Sequence, residues 1–156
     1  MLRKIISGGQ TGVDRGALDA ALDAGFPCGG WCPADRKAED GLIPERYPVI
    51  ALPGAGYRQR TRRNVQDSDG TAILHFGPLE GGTLATRDFC IHERKPFACI
   101  DAMTVGVESA ATELLAFIAA HEIRTLNVAG PRASRIGAAR DFAYDVIRCV
   151  LASSLT

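Results

Sequence analysis

Apolar and polar positions follow two rhythms along the chain. Short apolar runs at residues 4–6, 26–32, 47–52, 71–76, 97–100 and 125–129 predict strands. Between several of them the apolar residues recur at helical spacing. In residues 13–24, Ala17, Leu18, Ala21 and Leu22 form a stripe, and Gly25 is a natural stop. Residues 82–93 predict a second helix. Residues 107–121 predict a third, with Val107, Ala111, Leu114, Leu115 and Ile118 inward, and 136–151 a last one with Phe142, Val146 and Val150 on one face. Residues 33–46 are polar, carry Pro33-Ala34-Asp35 and Asp40-Gly41, and predict a loop. Residues 57–67 have few apolar positions and predict an exposed or site-facing helix. Strands separated by helices imply βαβ crossovers, so the expectation is one α/β domain over residues 1–156 with a parallel sheet.

Composition narrows the partners. The 156 residues are 46% hydrophobic and 23% charged, the profile of a folded globular chain. Lys plus Arg is 18 and Asp plus Glu is 18, and this neutral balance disfavours a general nucleic-acid binder, which needs clustered cations. It also does little to oppose self-association. The start of the chain has too few apolar residues for a signal-peptide core, and no run reaches a membrane span. Five scattered cysteines fit free thiols in a reducing compartment. The expectation is a cytoplasmic protein without membrane or nucleic-acid partners.

Ligands of an open parallel sheet bind beyond the strand C-termini. Three turns there are small, flexible and polar: Ser7-Gly8-Gly9-Gln10-Thr11-Gly12, Glu80-Gly81-Gly82-Thr83 and Gly130-Pro131-Arg132-Ala133-Ser134. Each precedes a helix, whose free N–H groups and dipole suit phosphate. None is a dinucleotide fingerprint or a P-loop; Gly12 runs into Val13-Asp14 where a P-loop needs lysine. Asp14 either accompanies a Thr11 N-cap or holds a ligand hydroxyl or ring N–H. On the 57–67 helix, Tyr57, Arg60, Thr61, Asn64 and Ser68 share a face able to meet an anion, with Arg60 as the phosphate partner. Cys28 and Cys32 lack redox or zinc spacing, and no metal site is expected. Glu39-Asp40 reads as a solvated loop or a paired-acid site. Trp31 reads as a core plug or a stacking surface, the core being favoured.

The strings Ser-Gly-Gly-Gln-Thr-Gly-Val-Asp-Arg-Gly-Ala-Leu-Asp-Ala-Ala (7–21), Gly-Gly-Trp-Cys-Pro (29–33) and Ala-Glu-Asp-Gly-Leu-Ile-Pro (38–44) closely resemble the molybdenum cofactor carrier family. So do Arg-Thr-Arg-Arg-Asn-Val-Gln-Asp-Ser-Asp-Gly-Thr (60–71), Gly-Gly-Thr (81–83) and Ala-Gly-Pro-Arg (129–132). The resemblance implies a Rossmann-like doubly wound fold that self-associates as a dimer or tetramer. It implies a pocket for molybdenum cofactor, a phosphorylated pterin or a nucleotide, with molybdoenzymes as recipients. By position, the ligand residues are Gly8, Gly9, Gln10, Thr11 and Gly12, with Asp14; Arg60, Thr61 and Asn64; Gly81, Gly82 and Thr83; and Gly130, Pro131 and Arg132. The wider superfamily also contains phosphoribohydrolases, whose second Gly-rich turn ends in a glutamate that does acid–base work. Thr86 stands at that position here, which disfavours phosphoribohydrolase chemistry by that route; a carrier is the expectation, with a nucleotide-processing enzyme or nucleotide sensor as the alternative.

Overall fold

The computed structural model describes residues 1–154. In chain order the elements are β1 (Lys4–Ile6), α1 (Val13–Asp23), β2 (Cys28–Gly29), β3 (Trp31–Cys32), β4 (Lys37–Ala38), β5 (Gly41–Leu42), β6 (Ile50–Ala51) and α2 (Tyr57–Asp67). They continue with β7 (Gly70–His75), α3 (Gly81–His92), β8 (Phe97–Asp101), α4 (Val107–Ala120), β9 (Thr125–Ala129) and α5 (Ala139–Ser154).

Five strands form one sheet in the order β2-β1-β9-β7-β8, and every pairing in it is parallel. This is the expected α/β architecture. The stripe predicted on α1 is buried at Ala17, Leu18 and Ala21, and that helix packs on α5, as does α4. On α5, Val146 and Val150 join Ala143, Ile147 and Leu151 in the core with Leu74, Ile100, Leu126 and Val128 of the sheet. α2 and α3 pack against each other. Burying so much aliphatic surface is the main stabilising term.

Two sequence expectations are corrected. The apolar run 26–32 is not one strand: it divides into β2, in the main sheet, and β3, which pairs with β6 in a separate two-stranded sheet. The cause is Gly30, whose φ of 126° is open only to glycine and whose missing side chain lets Ser7 O come within 2.1 Å of a would-be Cβ. The stretch 33–46 is not purely loop, because β4 and β5 form a short antiparallel hairpin. Ala38 and Ile43 anchor it in a second apolar cluster with Leu18, Cys32, Tyr47 and Val49.

The chain order places the site. β1 leads left to β2, while β7 and β8 lie to the right, and β9 returns between β1 and β7. The connections that leave the adjacent C-terminal ends of β1, β9 and β7 therefore frame a crevice.

Candidate functional site

That crevice is a cavity of about 460 Å³ lined by 22 residues from the three Gly-rich turns, α2, and the ends of β7 and β9. The volume is in the range that holds a small organic ligand. Of the residues singled out in the sequence, Gly8, Gln10, Asp14, Arg60, Thr61, Asn64, Gly81, Gly82, Thr83, Gly130, Pro131 and Arg132 all line it. Segments separated by more than a hundred residues thus meet at one place.

Gly9, Thr11 and Gly12 do not line it. Gly12 has a φ of 81°, and a Cβ there would fall 2.3 Å from Pro131 O. It is glycine so that the first and third turns can touch, and it takes the N-cap position expected for Thr11. The Thr11 hydroxyl instead donates to Glu39 Oε1 and accepts from Ala133 N at 3.2 Å. Glu39 also accepts from Ser134 N at 3.1 Å and Ser134 Oγ at 2.5 Å. Burial opposes the Glu39 charge, but the donors from Ser134 and Thr11 outweigh it and hold its pKa below the ordinary value. Asp40 accepts both Arg15 Nη atoms, at 2.5 and 2.8 Å. The Glu39-Asp40 pair is therefore a clamp that fastens the hairpin to the first and third turns.

The deepest charged groups are Asp14 and Arg60. Asp14 is 5% exposed. Its Oδ2 accepts Gln10 N at 3.1 Å and Arg60 Nη1 at 3.3 Å. Burial pushes its pKa up, against the lowering pull of the Arg60 charge and the Gln10 N–H. Arg60 comes to the cavity already paired with Asp14. Gln10 is 7% exposed, and its Oε1 accepts Thr11 N at 3.0 Å and Glu39 N at 2.9 Å. These bonds fix the amide and leave Gln10 Nε2 without a partner; Arg60 Nε is also buried and unpartnered. Buried donors are nearly always satisfied in a folded chain, by protein, water or ligand, and these two belong to residues that line one cavity.

Asn64 is spent on structure. Its Oδ1 accepts Trp31 N at 2.8 Å and its Nδ2 donates to Trp31 O at 3.0 Å. This two-point clamp ties α2 to β3. The Trp31 ring is half-buried, donates Nε1 to Asp67 at 2.7 Å and lies under Arg63, so it neither plugs the core nor faces the cavity. Cys32 is fully buried, and burial raises its thiol pKa, which leaves it inert.

The outer end of the cavity is cationic. Arg132 and Arg135 stand there, the latter 3.6 Å from Glu80. The first turn of α3 begins at Gly81 with no side-chain cap, and while Thr83 N donates to Glu80 O at 3.1 Å, the Gly81 and Gly82 N–H groups stay available. Sequence reasoning missed His75, Phe76, Pro78, Asn127, Arg135 and Ile136, which also line the cavity. His75 to Pro78 follow the end of β7, so the strand-end rule could have flagged them. His75 Nδ1 donates to Gly77 O at 2.6 Å, and Asp101 Oδ1 accepts Gly77 N at 2.9 Å, fixing this turn. Thr86 lines the cavity, and its hydroxyl donates to Gly82 O at 2.9 Å. Among the described residues no group of three His, Cys, Asp or Glu is placed to hold a metal, and no helix is long and apolar enough to cross a membrane.

Comparison with known proteins agrees with this architecture. The crystal structure of a putative molybdenum carrier protein from Syntrophus aciditrophicus SB, at 1.45 Å resolution, superposes with a TM-score of 0.94. The two sequences are 43% identical over 96% of this chain and 95% of that one. No curated protein matches significantly. The model of the circularly permutated YpsA SLOG family matches residues 5–151. With nearly the whole chain matched, and with the strand-end crevice and Gly-rich turns in place, this protein belongs to the circularly permutated YpsA SLOG family.

Proposed function

We propose that the chain is a single ligand-binding domain that carries a phosphorylated heterocycle of the molybdenum cofactor class in the strand-end cavity. The observation that carries this reading is the pair of buried, unpartnered donors, Gln10 Nε2 and Arg60 Nε, on the wall of a ligand-sized cavity. The related carrier protein from Syntrophus supports the choice of cargo. The uncapped N-terminus of α3 at Gly81 and Gly82, with Arg132 and Arg135, receives the phosphate. Gly8, Thr61, Thr83, Gly130 and Pro131 shape the wall, while Gly9, Thr11 and Gly12 support it from behind. Molybdenum, where present, travels on ligands that belong to the cargo.

The test is calorimetric titration with pterin monophosphates and nucleoside monophosphates. A Cβ at Gly82 meets no atom within 4 Å, so Gly82→Asp preserves the fold while placing a negative charge at the phosphate end. Gly82→Asp and Arg60→Ala are expected to weaken binding by about tenfold or more. Unchanged affinity in both folded variants contradicts the reading.

A nucleotide-processing enzyme is the second reading. A buried carboxyl with a raised pKa on a cavity wall is the kind of group that moves protons, and Asp14 is one. Base release from a nucleoside monophosphate that disappears in Asp14→Asn would establish it.

A further inference from the structure

The cavity is divided by polarity. Its mouth carries Arg132, Arg135 and the α3 N-terminus, all suited to phosphate. Its inner end is different. There, Arg60 is neutralised by Asp14 at 3.3 Å, so a phosphate placed against Arg60 would also face a buried carboxylate. The inner end instead offers a short string of hydrogen-bonding groups. Gln10 Nε2 is a donor with no partner, Arg60 Nε is a second, and the Asp14 carboxylate is an acceptor. Gln10 N and Arg60 Nη1 both fall on Asp14 Oδ2, and the Ser7 hydroxyl, which donates to Val128 O, also lies beside the carboxylate; a carboxylate has about four acceptor positions. Asp14 and Gln10 are adjacent, since the backbone N–H of one binds the carboxylate of the other.

From this set of donors and an acceptor we infer that the inner end reads a 2-amino-4-oxopyrimidine edge, the edge common to guanine and pterins. Such an edge carries a carbonyl oxygen beside a ring N–H and an exocyclic NH₂. The carbonyl takes the donors Gln10 Nε2 and Arg60 Nε. The two N–H groups go to the Asp14 carboxylate. Adenine offers a carboxylate only its exocyclic amine and presents no carbonyl. Hypoxanthine keeps the carbonyl and ring N–H but lacks the amine. A site built to pair specific polar groups rejects analogues strongly, because its own buried groups are then left unpaired. The inference rests on the ligand-binding reading above and names the chemical class of the ligand's ring.

Two substitutions test the assignment with little structural disturbance. In Gln10→Glu one carboxylate oxygen still accepts Thr11 N and Glu39 N, the unpartnered donor becomes an acceptor, and a second carboxyl is set beside Asp14, which is why folding is checked in the same experiment. In Asp14→Asn the amide oxygen still accepts Gln10 N, and the acceptor toward the ring gains a donor face. The experiment is calorimetric titration of GMP, a 6-substituted pterin monophosphate, IMP, AMP and XMP, with folding checked by circular dichroism.

Wild type is expected to bind GMP or the pterin at least about tenfold more tightly than AMP, with IMP between. Gln10→Glu is expected to lose that margin. Asp14→Asn is expected to shift preference from GMP toward XMP, whose 2-oxo group accepts where GMP donates. A purely structural role for Asp14 produces no such switch. The tighter of GMP and pterin identifies the source of the ring, and either result supports the edge assignment. Equal binding of AMP and GMP, with no XMP shift, overturns the edge assignment and leaves the phosphorylated-ligand reading standing. No binding of any of the five overturns both.

Discussion

Arg60 occupies the space that a side chain at Gly8 would need. A Cβ at Gly8 would lie 1.6 Å from Arg60 Nη1, the atom that donates to Asp14 Oδ2 at 3.3 Å. Glycine in the first turn is thus a condition for the Asp14–Arg60 pair that forms the inner wall. The clash is with the far end of a flexible side chain, so Gly8→Ala should be relieved by moving Arg60 away. The expected outcome is a folded protein that loses about 2 kcal/mol or less of stability. Its affinity for a pterin or nucleoside monophosphate falls about tenfold or more, because the Arg60 donor leaves the site. Chemical denaturation and calorimetry on the same sample separate the two effects.

The sign of the pH dependence distinguishes two placements of the ligand. In the free protein, burial raises the Asp14 pKa from its usual 3.8. By itself that shift makes the folded state most favoured below the unfolded pKa, and the contribution is lost as pH rises through the folded one. A ligand whose N–H groups bind ionised Asp14 must expel this proton when the pH lies below the folded pKa. Affinity then falls by about tenfold per pH unit in that range and levels off above it. A phosphate seated against Arg60 and Asp14 would prefer the protonated carboxyl and give the opposite slope. Arg60, Arg132, Arg135, His75 and Glu80 also line the cavity, so Asp14→Asn is the necessary control and should flatten the profile.

Asn64 should behave as a structural residue although it lines the cavity. Asn64→Ala removes both bonds to the Trp31 backbone and leaves a buried peptide unpaired. The expected cost is about 2–3 kcal/mol. Ligand affinity of the folded fraction should stay within about threefold of wild type. A large affinity loss with unchanged melting temperature would contradict this assignment.

Asp19 offers a stability test away from the cavity. It is 7% exposed and accepts Arg46 Nη2 and the Tyr47 hydroxyl on Oδ1, with Arg140 Nε and Nη2 on Oδ2. It joins α1, the segment before β6 and α5. Asp19→Ala removes the acceptor of the Tyr47 hydroxyl, while the half-exposed Arg46 and Arg140 turn to solvent and Arg140 keeps Asp141, so the cost should be about 1–3 kcal/mol, read as a drop in denaturation midpoint.

The periodicity of the chain was sufficient for α1, α4 and α5, because each buries an apolar stripe at helical spacing, whereas α2 buries only Asn64 and Val65 and was legible as a polar helix. It failed where one backbone position changes the path. Gly30 divides an apolar run between two sheets, and its φ is a property of tertiary contact with Ser7. The hairpin β4–β5 was hidden because its two apolar anchors, Ala38 and Ile43, make no period, and because Glu39 and Asp40 tie it to a distant turn and to α1. The three Gly-rich turns were legible as a site because strand ends converge. Which side chains were already committed was not: Asn64 to Trp31, Asp40 to Arg15 and Arg60 to Asp14 are pairings 25 to 46 positions apart. Arg135 and His75 escaped notice because neither belongs to a Gly-rich string.

The central claim is that the strand-end cavity carries a phosphorylated heterocycle. Its most direct test is mass spectrometry of the small molecules released when freshly purified protein is denatured, with molybdenum and tungsten quantified in the same sample and a titration of the emptied, refolded protein alongside. A phosphorylated pterin, with or without metal, is expected at a level approaching one per chain, and it should rebind on titration. Absence of any phosphorylated heterocycle from the released material, together with no binding of pterin or nucleoside monophosphates by the emptied protein, would contradict it.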